Sequence, residues 1–225
     1  RELATFGVEK GIVTMATTVV RTPTRTSILR PLTAVLTRIG DRVPFFLAAI
    51  MLGASLALPY WHMTLLAPQY PGGLRVVVYL TKLAGDVQEV NGLNHYIGMM
   101  KLEEAAIFER AIAPYGVAAL ALLALLAGLL RRRWTALLAT LVVIFPVIFV
   151  ADLQYWLWYF GHNLDPHAAL SSAIKPFTPP VLGTGRVGQF VVETRFGSGL
   201  YLALLAALSA LLGITARLRG SAQWG

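Results

Sequence analysis

"WTALLATLVVIFPVIFVADLQYWLWYF", residues 134–160, decides the fold class. Its only charged residue is Asp152. A helix needs roughly 20 residues to cross a hydrocarbon layer of about 30 Å, and this run exceeds that length. The excess allows tilt, and Pro146 predicts a kink. The aromatic end, Tyr155–Phe160, matches the belt where rings sit at headgroup level.

Three further runs read the same way. They are "PFFLAAIMLGASLALPYW" at 44–61, residues 112–130 ending in "LALLALLAGLL", and "SGLYLALLAALSALLGITA" at 198–216. The sequence therefore predicts an all-α membrane protein with four transmembrane helices at 44–61, 112–130, 134–160 and 198–216. Composition agrees. The 225 residues are 56% hydrophobic and 13% charged, against about 25% charged in soluble domains. Mean hydropathy is +0.66.

The formal charge of +8 does not indicate nucleic acid, because of where the cations fall. Twelve of the 19 Lys and Arg are Arg1, Lys10, Arg21, Arg25, Arg30, Arg38, Arg42, Arg131, Arg132, Arg133, Arg217 and Arg219. All lie in segments 1–43, 131–133 and 217–225, on one side of a four-span chain. Basic loops stay cytoplasmic, so both termini are expected inside, in a bacterial cytoplasmic membrane. Within 1–43, Ile28, Leu29, Leu32, Val35, Leu36 and Ile39 fall near one helical face, the pattern of an interfacial amphipathic helix.

The other side receives two long segments, 62–111 and 161–197. The first opens with "HMTLLAPQYPGGL", whose Pro and Gly argue against regular structure. "LRVVVYL" then has strand character, and "KLEEAAIFERAIA" reads as a helix re-entering the membrane. The expectation is a small strand-containing cap with one or two strands. The second segment, with Pro166, Pro176, Pro179 and Pro180, is expected to be an extended loop packed against the first.

These segments carry the residues that could do chemistry. With no cysteine, thiolate metal sites and disulfides are excluded. All four histidines, His62, His95, His162 and His167, lie on or at the edge of the outer side. His95 and Met99 are four residues apart and would share a helical face. Imidazole and thioether suit Cu(I), and Met63, beside His62, and His162 could complete the shell. The competing reading has His95 and Asn94 bonding loop backbone and Met99 and Met100 filling apolar gaps. Asp165 either forms the turn before Pro166 or orients an imidazole. Asp152 serves a proton path or accepts a helix–helix hydrogen bond.

"APQYPGGL", "GDVQEVNGLNHYIGM", "GHNLDPHAAL" and "IKPFTPPVLGTGRVGQF" resemble segments of a poorly characterised family of polytopic bacterial membrane proteins. Its members are often encoded beside the maturation genes of nitrous oxide reductase, a copper enzyme. The resemblance covers roughly residues 60–200. It implies a cytoplasmic-membrane protein and points to copper.

Three function classes follow. The protein handles or delivers copper at the outer face. Alternatively it is a non-catalytic subunit that docks protein partners in a larger membrane complex through its outer loops. In the third class it is a redox subunit with b-type haem or quinone, though the histidines crowd one surface rather than facing each other inside the bundle. No catalytic triad, carboxylate pair or nucleotide-binding motif stands out.

Overall fold

The structure, a computed structural model, describes residues 40, 42–130, 132–170, 173–187 and 190–222. The expected interfacial helix within 1–43 lies outside the described residues, apart from its last positions.

Three helices are long and apolar enough to cross a membrane: α3 (Ile107–Leu130), the stretch Trp134–His162, and α6 (Ser198–Ala222). Much of their surface is exposed and apolar, including Leu129, Ile144, Val147, Ile148 and Leu204. Such a surface suits hydrocarbon rather than water. The first expected span is shorter than 44–61. Helix α1 covers Val43–Ser55, 13 residues, and Trp61 already belongs to a strand. The apolar run continues past Ser55, but Pro59 disfavours helix in the residue before it. The long third run is divided at Ala139, between α4 (Arg133–Leu138) and α5 (Thr140–His162), and α5 continues through Pro146.

The bundle is built on small residues. Ala203, Ala206 and Ala210 of α6 are fully buried against Ala48 and Leu52 of α1 and Ala124 of α3. Apolar burial gains little in lipid, so close backbone approach through small side chains supplies the packing. At the far end, Arg217 donates to the Ala127 carbonyl at 2.6 Å and lies over the Phe45 ring. It thereby satisfies one of the last carbonyls of α3.

Segments 62–111 and 161–197 both contribute, with Trp61, to one antiparallel sheet of five strands, order β3-β2-β1-β5-β4. The strands are β1 (Trp61–Ala67), β2 (Tyr70–Val78), β3 (Leu83–Gly85), β4 (Gly183–Val187) and β5 (Phe190–Phe196). The one- or two-strand cap was thus an underestimate. The second segment is no extended loop at its end but a hairpin, whose β5 pairs with β1 from Trp61↔Phe196 to Leu66↔Val191. Pro71, Gly72 and Gly73 do not break β2, because pairing jumps from Ala67↔Tyr70 to Leu65↔Leu74. They occupy a bulge, where no ladder bond is asked of proline.

Helix α2 (Val87–Ile97) covers the inner face of the sheet, burying Val87 and Val90 against Leu65, Val76 and Val192. "KLEEAAIFERAIA" divides into a 3-10 turn, Leu102–Glu104, and the start of α3. Between them Ala106 adopts φ +50°. That left-handed conformation costs a non-glycine residue about 1–2 kcal/mol. Arg110 holds the bend by donating to the Ala106 and Glu103 carbonyls.

Candidate functional site

The sheet, α2, α3 and α5 enclose a cavity of about 560 Å³. Alternation along the strands sets its roof. Trp61, Met63 and Leu65 of β1 and Val76 and Val78 of β2 face inward, while His62 and Arg75 take the opposite face by the period of two. On α3 the lining runs from Glu109 to Leu120, and on α5 from Phe145 to Phe160. At 1.5 Å per residue these are walls of about 16 and 22 Å, so the cavity descends well into the helical layer. Ile112 and Ile148 line it and are also 46% and 58% exposed on the helix surface. The space therefore communicates with the apolar outside of the bundle between α3 and α5.

The lining is apolar with few exceptions. Asn94, on α2, is 7% exposed, and its side-chain N–H₂ has no hydrogen-bond partner. Trp156 Nε1, on α5, is buried and also unpartnered. The Asp152 carboxyl, one turn earlier, interacts with that indole, but outside hydrogen-bond geometry. Asp152 itself lies within electrostatic reach of Glu109 across the cavity. A buried donor left unsatisfied costs about 1–3 kcal/mol; the Asn94 amide carries that cost, while the Trp156 indole lies beside the Asp152 carboxyl. Sequence reasoning singled out Asp152, gave Asn94 only a backbone-bonding role and placed Trp156 in the aromatic belt.

The expected metal residues fall elsewhere. Helix α2 ends at Ile97, with Gly98 at φ +77°. Gly98 N–H bonds to His95 O and Met99 N–H to Asn94 O, the two bonds of a Schellman cap. Met99 thus lies beyond the helix, and the shared helical face does not form. His95 and Met99 still line one open cleft of about 650 Å³, together with Met100 and His167. Segment 161–197 builds its other wall, because Asp165 N–H bonds to Gly98 O and Leu170 N–H to Tyr96 O.

His62, Met63 and His162 are not in that cleft. His62 lies on the outer sheet face opposite Val77 and Arg195. Partial burial, with Arg195 beside it, holds its imidazole below the ordinary value. Met63 faces the cavity. His162 stacks on Trp158, its Nδ1 2.9 Å from the Trp158 carbonyl. Asp165 forms the expected turn, accepting from His167 N–H at 2.9 Å, and that bond holds its carboxyl below the ordinary range. Among the described residues, no three His, Cys, Asp or Glu side chains gather closely enough to hold a metal.

Comparison of the chain with protein-family models, with curated proteins and with solved structures gives no match.

Proposed function

We propose that this is a membrane protein that takes up a chain-bearing, lipid-soluble molecule in the cavity between α3, α5 and the sheet. The observation that carries this reading is the cavity itself. It is apolar, runs deep along two helices, meets the exposed apolar helix surface at Ile112 and Ile148, and carries a few polar groups. Ligand sites of this size and composition are the common form of small-molecule pocket. The fit to a bilayer component follows from the entrance, which faces hydrocarbon in any orientation that buries α3 and α5 in a membrane.

Gly116 supplies the test. It lines the cavity, and a Cβ added there meets nothing within 4 Å. Gly116→Trp should fill the space without displacing backbone. Native mass spectrometry of protein released from mild detergent should show one tightly held adduct on the wild type. The variant should lose it at least several-fold and keep its thermal stability. Equal adduct on both proteins, or none on either, would sink the reading.

The proposed topology has four passes with both termini cytoplasmic, so that the sheet lies outside. Its support among the described residues is Arg42, Arg132, Arg217 and Arg219, at the helix ends away from the sheet. α1, at about 20 Å, would cross with the local thinning that short helices impose. A cysteine placed at Thr81 should react with an impermeant reagent added outside, and one at Gln223 should not. The reverse pattern would invert the protein.

A second reading keeps copper at the outer face. It is favoured by the gathering of His95, Met99, Met100 and His167 around one cleft, since imidazole and thioether bind Cu(I). His62, Met63 and His162 take no part in this version. His95→Ala should lower bound Cu(I) several-fold with the fold intact. Unchanged metal content in that variant removes this reading and leaves the cavity untouched.

A further inference from the structure

We infer that the free face of the sheet docks an acidic segment of a protein partner from the aqueous side. Helix α2 and the cavity cover one face of the sheet. Strand alternation gives the other face its own residues, and none of them lines the cavity. The register places three arginines there. Arg75 stands opposite Thr64, which stands opposite Glu193. Arg195 lies opposite His62, and Arg186 opposite Val191. All three arginines are exposed, and among the described residues none of them forms an ion pair.

Glu193 is the one acid in the five strands, so three arginines face a single carboxylate. Acids elsewhere in residues 62–111 are bonded away from the face. Asp86 accepts from the Arg75 backbone N–H, and Glu103 accepts from Gln88 and Asn91. Arginine offers a planar fork that meets a carboxylate in two bonds, which lysine does not. Lys82, Lys101 and Lys175 all lie outside the strands. Leu66, Val77 and Val191 share the face and are half-buried, giving the mixture of apolar centre and charged rim that protein interfaces use. Arg75 and Arg195 sit two strands apart, about 10 Å. That spread matches several carboxylates along a chain rather than one small anion. A lipid surface fits poorly, because the sheet stands between this face and the apolar helices.

The test uses the whole protein in nanodiscs of phosphatidylcholine, whose heads carry no net charge. The probe is a fluorescein-labelled peptide of alternating glutamate and valine, read by anisotropy. The expected result is saturable binding that falls as salt rises, and that a glutamine–valine peptide does not show. Arg75→Gln, Arg186→Gln and Arg195→Gln together should weaken it about tenfold, the sum of three exposed charge pairs. Thermal stability should be kept, since all three side chains are on the surface. The matched control is Lys82→Gln, Lys101→Gln and Lys175→Gln, which removes the same charge away from the face and should leave binding unchanged. Val191→Glu is a second variant, serving where the arginine triple fails to fold. It sets a carboxylate opposite Arg186 and should weaken binding without removing a cation.

Equal loss in the arginine and lysine triples overturns the assigned face, because net charge alone then explains the binding. Absence of binding by the glutamate peptide overturns it outright. Phosphatidylglycerol vesicles captured as strongly as the peptide, and released by the same arginine substitutions, overturn the protein class of partner. Each of these outcomes leaves the cavity reading as it stands.

Discussion

Tyr60→Ala is expected to cost about 3–5 kcal/mol, the range for truncating a large buried ring. Tyr60 is fully buried where bundle and sheet meet. Its ring lies 4.8 Å from Phe149 and 6.3 Å from Phe145. Its hydroxyl meets Ser55 Oγ at 2.8 Å, its N–H donates to Val78 O, and its carbonyl accepts from Gly197 N–H. The backbone bonds survive the substitution, so the loss measures ring packing. Tyr60→Phe should cost only about 0.6–1 kcal/mol, because Ser55 Oγ keeps its bond to Leu52 O at 2.7 Å. Denaturant unfolding in mild detergent separates the two. Equal losses would show that the hydroxyl, rather than the ring, holds the junction.

Gly161→Ala should be nearly as damaging, about 3 kcal/mol, at the upper end of ordinary overpacking. A Cβ at Gly161 would stand 1.8 Å from the Phe177 carbonyl oxygen. Phe177 N–H donates to Gly161 O, and the Phe177 ring packs under the sheet. The obstacle is backbone, so no rotamer change relieves it. The neighbouring chain would have to lift, carrying Phe177 out of its contacts. Gly92→Ala is the matched control. Its Cβ meets nothing within 4 Å in the middle of α2, and it should gain about 0.5–1 kcal/mol. If both substitutions shift stability alike, the close approach at Gly161 is not what holds segment 161–197 down.

The long helices were legible because an uninterrupted apolar run carries its own signal. Residues 107–130 and 134–162 needed only boundary corrections. The same signal misled at 44–61, since hydropathy does not mark where helix gives way to strand, and "WHMTLLA" is as apolar as what precedes it. Most of the sheet was hidden by its prolines and glycines. Only Trp61 of strand β1 fell in the supposed span, the rest of β1 lay in a stretch whose Pro and Gly argued against regular structure, and β5 sat in a segment read from its prolines. The alternation in "FVVETRF" was its one available sign. The pairing of His62 with Met63 as ligands fails on alternation as well, because neighbours on a strand face opposite ways. The cavity left almost no trace, as its lining reads residue by residue as core or lipid-facing surface. Asn94 is the exception, a polar residue on the otherwise apolar side of α2 formed by Val87, Val90 and Ile97.

The strand order also sets a timetable for synthesis. β1 is made early, yet its neighbour on one side is β5, and the Trp61 indole bonds to the Val181 carbonyl 120 residues further on. At about 5–20 residues per second, β1 waits on the order of ten seconds with one edge open. During that interval it is an unpaired strand of the kind that invites pairing with other chains. The helices between can already have formed, since their contacts are local by comparison. The roof of the cavity therefore closes last, and a chain that stops short of Phe190 would hold a floor and two walls beneath an exposed ribbon.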